Sequence, residues 1–259
     1  MIDVQSQRDE RNIPIQKVGV KGLRYPATVR DKANGVQHVT AHVNLYADLP
    51  HDFKGTHMSR FIEVFDAHRK DVSMPRFLEM LEEVRAALDA ETAYGDLTFP
   101  YFIEKSAPAS GAKSVMSYDC GYRASVGKDG REFDVTIAVP VQTVCPCSKS
   151  ISAYGAHNQR GVVTVKLVVD SFFWIEDVVE AIERSASSGV YTLLKRADEK
   201  YVTELAFDNP RFVEDVVREV CLALKDFKGF SRFSVEAENF ESIHNHSAYA
   251  YVEWNPGSR

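Results

Sequence analysis

Two stretches of strict alternation limit what this chain can fold into. Val39, Ala41, Val43 and Leu45 alternate with His38, Thr40, His42 and Asn44. Later, Phe133, Val135, Ile137, Val139 and Val141 share one parity, as do Val163, Val165, Leu167 and Val169. A period of two with a single apolar face marks strands buried on one side only. Such a sheet needs a cover on that side, and runs at helical spacing supply it. One helix runs from about Met58 through Phe61, Ile62 and Phe65. A second carries Phe77, Leu81, Val84 and Leu88, with Ser73 as N-cap and Pro75 in its first turn. A third carries Ile175, Val178, Val179 and Ile182. The fourth begins at Asn209-Pro210 and turns Val213, Val216, Val217, Val220 and Leu224 inward.

The remaining strand patterns complete an order. Val18–Arg30 reads as a strand with glycine irregularities, followed by the hairpin dipeptide Asn34-Gly35. Leu97–Lys105 and Ser114–Val126 are joined by a turn rich in Ser, Pro and Gly, and Phe233–Phe240 and Ser247–Trp254 close the chain. Strand, strand, helix, helix, strand, strand thus appears twice, with little residue identity between the copies. The strict strand–helix alternation of a doubly wound parallel sheet is missing from both. The expected class is α+β, with two tandem antiparallel-sheet modules, 1–128 and 129–259, each with helices on one face. Gly127–Gly130 is the expected boundary, and the first dozen residues are expected to be frayed.

Composition narrows the function classes. Hydrophobic residues at 44% and charged residues at 26% suit a soluble domain with a real core. A formal net charge of −6 gives no support for a nucleic-acid or membrane surface. The first residues, MIDVQSQRDERN, lack the apolar run of a signal peptide, and no stretch has the length to span a bilayer. Four cysteines, two of them flanking one proline, make a poor disulfide framework. The expected location is the cytoplasm.

The chemistry concentrates in VPVQTVCPCSKSISAYGAHNQRG, from Val139 to Gly161. If the strand before them stays extended, Cys145 and Cys147 point the same way, since Pro146 biases Cys145 toward extended backbone. Two such thiols could bind one metal, or one could ligate while the other does chemistry. They could also be small buried hydrophobes, although Ser148, Lys149 and Ser150 make the surroundings polar. His157 adds an imidazole, which with a thiolate suits zinc; a carboxylate could be the third ligand and water the fourth. Water on such a metal reaches a pKa of about 7. The plain alternative is a loop histidine bonded to its own turn.

Other candidates each have a bland explanation. Glu199 and Glu204 lie in KRADEKYVTE, a polar connection between helices, where they could simply be solvated among Lys195, Arg196 and Lys200. Glu214 could pair with Arg218 at i,i+4, or accept two parallel hydrogen bonds from an amidine-like edge such as that of guanine. His244 and His246 of ESIHNH could be ligands, proton-transfer groups or surface residues. Lys149, Arg160, Lys195, Arg196 and Lys200 form basic islands that could receive a polyphosphate. Neither standard Gly-rich nucleotide cradle is present. Cys120 and Cys221 fall within strand and helix patterns and read as core.

VCPCSKSISAYGAHNQRG closely resembles the prokaryotic type IB GTP cyclohydrolases. The resemblance extends through RDERNIPIQKVGVKGLRYP, KGTHMSRF, LLKRADEKYVTE, NPRFVEDVVREV and ESIHNHSAYAYVEW, in that order and over nearly the whole chain. It implies the tunnelling fold, a homotetramer with active sites at subunit interfaces, and conversion of GTP to 7,8-dihydroneopterin triphosphate and formate. It further implies Cys145, His157 and Glu199 as metal ligands, with zinc the first expectation and manganese or iron(II) also compatible. Cys147 would be a second, essential thiol, Glu214 the guanine anchor and His244 a proton-transfer group. Three rivals compete with this reading. They are a tunnelling-fold nitrile reductase, whose E-S-K-S-x-K-type segment is not found, a metal-free thiol hydrolase using Cys147 and His157, and a non-enzymatic oligomer with a structural metal.

Overall fold

A computed structural model describes Gln5 and residues 7–257. Among these, the chain forms nine strands and six helices. The described residues divide into two compact units, those up to 100 with 121–135, and 101–120 with those from 136 onward.

In the first unit, β1 (Ile15–Asp31) and β2 (Gly35–Leu49) form an antiparallel hairpin, and β2 pairs antiparallel with β3 (Thr92–Ser106). The end of β4 (Lys113–Gly127) and the start of β5 (Gly130–Val144) also belong to this unit. The expected Asn34-Gly35 turn is present, with Gly35 at φ +80. The register of β1 shifts between Val20 and Leu23, where the glycine irregularities were expected. Gly19 has no room for a side chain: a Cβ there would lie 2.0 Å from the Leu45 carbonyl oxygen.

Alternation along β2 is as read. Val39, Ala41, Val43, Leu45, Ala47 and Leu49 are buried, and Thr40 and His42 are exposed. On this sheet α1 (Met58–His68) buries Phe61 and Phe65, with Phe65 edge-on to Tyr25 of β1, and α2 (Met74–Ala87) buries Phe77, Met80, Leu81 and Val84, with Phe77 and Leu81 against Gly95 of β3. Ser73 is the N-cap of α2 and Pro75 sits in its first turn, as expected. Phe77 meets Tyr122 and Phe133 edge-on, with centroids 6.4 and 6.1 Å away, and its ring lies over Gly95, where a Cβ would come within 2.9 Å. Phe77→Ala is expected to cost about 3–5 kcal/mol, read as a lowered denaturant midpoint with unchanged slope.

The expectation of a frayed start needs correction within the described residues. Backbone hydrogen bonds run from Asp9 N to Asp52 O at 2.9 Å, from Lys54 N to Gln7 O at 3.0 Å and from Gly55 N to Gln5 O at 3.2 Å. The segment is polar in sequence yet satisfied by main-chain pairing, which periodicity does not register. The rest of the expectation, at residues 1–4 and 6, lies outside the described residues.

In the second unit, β6 (Asn158–Val169) pairs antiparallel with β8 (Phe230–Asn239), and β8 with β9 (Ala248–Trp254). The short β7 (Ser188–Gly189) pairs with the end of β5. The apolar face of β6 and β8 carries Val163, Val165, Leu167, Val235 and Ala237, all almost wholly buried. It is covered by Val178 and Ile182 of α4 (Ile175–Ser185) and Val216, Val220 and Leu224 of α6 (Val213–Leu224).

Three local readings change here. KRADEKYVTE is not a connection but most of a helix, α5 (Arg196–Asp208). Only Asp198, Val202 and Ala206 of it are buried, so a carboxylate and two small side chains stand where an apolar stripe would have announced a helix. Asn209 caps the end of α5 rather than the start of α6, and Pro210 follows as a stop. Strand β5 ends at Val144, and Pro146–Ile151 form a short helix, α3, with Cys145 as N-cap. The parity argument for Cys145 and Cys147 therefore fails, because residues two apart on a helix do not face the same way.

Candidate active site around Cys145 and His157

The loop from Cys145 to His157 is closed at its base by main chain. Cys145 N–H donates to the His157 carbonyl at 3.2 Å, so the expected thiol and imidazole ligands sit across from each other as β5 ends and β6 begins. Ser148 ties the two sides together. Its N–H points at Cys145 Sγ at 3.5 Å, its hydroxyl donates to the Cys145 carbonyl at 3.1 Å, and the same oxygen accepts from His157 N–H at 3.2 Å. Cys145 and His157 are half-buried, whereas Cys147, inside α3, is exposed.

Beyond His157, a buried polar pair underlies the ring. His157 Nδ1 lies 3.0 Å from Gln159 Oε1, and Gln159 Nε2 donates to Thr143 Oγ1 at 2.9 Å. The final turn approaches from β8. Phe240 N–H donates to the Arg160 carbonyl at 2.9 Å, and Glu241 Oε2 lies 3.8 Å from His157 Nδ1. Gly161 permits this approach, since a Cβ there would meet Asn239 Oδ1 at 2.4 Å and the Glu238 carbonyl at 2.9 Å. Three residues beyond Glu241, His244 is exposed and its ring stacks on that of His246, centroids 5.1 Å apart and planes 18° from parallel.

Helix α5 contributes an exposed Glu199 in its first turn, with Lys195 and Arg196 also exposed. Its start is fixed by Asp198, which is wholly buried. The Asp198 carboxylate accepts from Ala109 N at 2.8 Å, Ser110 N at 2.7 Å, Ser110 Oγ at 2.6 Å and Lys195 N at 2.8 Å. Burial alone would push this carboxyl's pKa up, but the hydrogen bonds from Ser110, Lys195 and Ala109 outweigh it and hold the group well below the usual carboxylate range. The Ser/Pro/Gly-rich turn between β3 and β4 thus anchors the helix that presents Glu199.

The other sequence candidates divide. Arg160 and Glu214 are exposed, and Arg218 turns to Asp215 at 3.7 Å rather than to Glu214. Lys200 is engaged by Glu204 at 2.6 Å, the surface pair that the bland reading describes. Lys149 donates to the Phe207 carbonyl and sits 4.2 Å from the Phe207 ring centroid, tying α3 to the end of α5. Cys120 and Cys221 are buried, as expected, and burial pushes both thiols up in pKa.

The donor chemistry at the loop fits a divalent metal. A cysteine and a histidine are joined through their main chain, and the imidazole's Nδ1 is already engaged, which leaves Nε2 for a metal. Among the described residues, no group of three or more His, Cys, Asp or Glu could hold a metal ion. Cys145, His157 and Glu199 therefore do not gather as a three-ligand set within one chain.

The model of the family described as type I GTP cyclohydrolase folE2 matches residues 1–250. The GTP cyclohydrolase FolE2 of Syntrophus aciditrophicus (strain SB) is 58% identical over 253 residues, covering 98% of this chain and 99% of that one. That of Geotalea uraniireducens (strain Rf4) is 54% identical over 253 residues, covering 98% and 93%. Among solved structures, uricase from Arthrobacter globiformis superposes with a TM-score of 0.55 at 9% identity, covering 94% of this chain and 95% of its own. At that identity the likeness is one of fold, and it matches the tunnelling fold expected above. Matched along almost all of its length, the chain belongs to the type I GTP cyclohydrolase folE2 family.

Proposed function

We propose that the chain converts GTP and water to 7,8-dihydroneopterin triphosphate and formate, the entry to folate-type pterins, at the site built on Cys145 and His157. The observation that carries this reading is the main-chain bond between those residues, which pairs a cysteine with a histidine in a chain of this family. Cys145, His157 and Glu199 would hold a divalent metal, zinc in the first instance, with manganese and iron(II) compatible with the same donors. Among the described residues of one chain these three do not gather as a metal site, which supports a homotetramer whose sites are completed between subunits. When bound, the metal supplies water activated at neutral pH.

The chain's own residues do the remaining work. Glu214, not engaged by Arg218, accepts the ring N–H and exocyclic amine of guanine as two parallel hydrogen bonds. Cys147 on α3 and His244 in the final turn give and take protons as the imidazole ring of guanine is hydrated at C8, opens and releases formate. Arg160, Lys195 and Arg196 are exposed and available to the triphosphate, whereas Lys149 and Lys200 must exchange their present partners to join them. No helix among the described residues is long and apolar enough to cross a membrane, and the proposed location is the cytoplasm.

Removal and return of metal test the reading. Protein stripped by a chelator is expected to form neither formate nor an oxidisable fluorescent pterin from GTP. Adding back zinc, manganese or iron(II) restores both. Undiminished turnover by the stripped protein would favour a metal-free thiol mechanism instead.

A further inference from the structure

Gln159 stands where packing alone would place an apolar side chain. It lies on the buried face of β6, in parity with Val163, Val165 and Leu167, and is only 6% exposed, and Thr143 beneath it is 0% exposed. A buried amide is costly unless its hydrogen bonds are made. Here they are made in one direction. The amide nitrogen donates to Thr143 Oγ1 at 2.9 Å, which turns the oxygen toward His157 Nδ1, 3.0 Å away. A carbonyl oxygen only accepts, so Nδ1 carries the proton and Nε2 keeps its lone pair. Glu241 Oε2, at 3.8 Å from the same nitrogen, is beyond hydrogen-bond range, so this bond belongs to Gln159.

We infer that Gln159, seated on Thr143, is a positioning residue that sets the tautomer and ring orientation of His157 so that Nε2 is presented to the metal. The inference rests on the reading of Cys145 and His157 as metal ligands. Gln159 is almost wholly buried, and its effect passes through His157, as partners of metal-bound imidazoles generally act.

The test measures zinc affinity of the full-length assembled protein by competition with a chromophoric chelator, with thermal unfolding followed in parallel. Gln159→Met keeps the length and removes the hydrogen bonds, and is expected to weaken zinc about 10–100-fold. Gln159→Glu keeps an acceptor facing Nδ1 and another for the Thr143 hydroxyl, and should restore most of that affinity. In zinc-saturated protein, KM for GTP should stay near that of the parent in both variants. If Gln159→Met does not fold, Thr143→Val carries the test, since freeing the amide should weaken zinc in the same direction. Parental zinc affinity in Gln159→Met or Thr143→Val would overturn the inference. So would Gln159→Glu binding zinc as weakly as Gln159→Met, because the position would then serve packing alone. Cys145→Ala is run beside them: zinc retained there would overturn the ligand reading itself, whereas zinc lost there and kept in Gln159→Met would overturn only the role of Gln159.

Discussion

Cys145→Ala is expected to lose metal and turnover together, whereas Cys147→Ala keeps the metal and loses turnover alone. The two thiols are separated in sequence by one proline, yet the fold treats them differently. Cys145 caps α3, is half-buried, receives the Ser148 N–H and is bonded through its backbone to His157. Cys147 is carried onto the helix and left exposed. Removing a direct ligand should weaken metal by more than the roughly 100-fold that loss of a supporting contact can cost. Removing a proton-transfer thiol should lower kcat about 10²–10⁴-fold with metal content unchanged. Metal analysis of the purified variants beside their GTP kinetics separates the two. Full metal in Cys145→Ala would contradict the assignment, and so would metal loss in Cys147→Ala.

Glu214→Gln is expected to act on recognition of the base. A carboxylate offers two acceptors to guanine's two donors. An amide keeps one acceptor and turns a donor toward a donor. A hydrogen bond to a charged group is worth about 1.5–3 kcal/mol, so kcat/KM for GTP should fall on the order of 10–100-fold. Inosine triphosphate lacks the exocyclic amine, and the parent should discriminate against it; Glu214→Gln should narrow that gap. The structure supports the choice of this glutamate because the i,i+4 pair that would have explained it is not formed, Arg218 facing Asp215 instead. An unchanged preference for GTP over inosine triphosphate in the variant would refute the role.

Most of the sheet was legible because its strands are buried on one face, so each wrote a period of two into the chain. The alternation of Val39 to Leu45 and of Val163 to Val169 marks strands that the structure contains, and Phe77, Leu81 and Val84 mark a helix. Helix α5 was missed for a physical reason. It is held by the hydrogen bonds of Asp198 as much as by Val202 and Ala206, and a buried carboxylate reads as surface charge. The same reason hid part of the site. Gln159 stood in plain view beside His157, but its partner Thr143 lies on another strand, and only the pairing of β5 and β6 residues brings them together. Glu241 likewise reaches His157 through the β6–β8 register, which carries Gly161 opposite Asn239. What could have found Gln159 was parity, since it falls on the apolar face of its strand. The thiols carried a warning too: Pro146 fits the first position of a helix as well as an extended strand, and the structure takes the helix.

The most direct test of the central claim follows one carbon atom. The metal-filled protein is given GTP labelled with carbon-13 at C8, and the products are read by carbon NMR. The label is expected in formate, one formate per GTP consumed, alongside an equal amount of unlabelled dihydropterin triphosphate. Label retained in a purine or pterin product, or GTP consumed with no labelled formate under any of the three metals, would contradict the account.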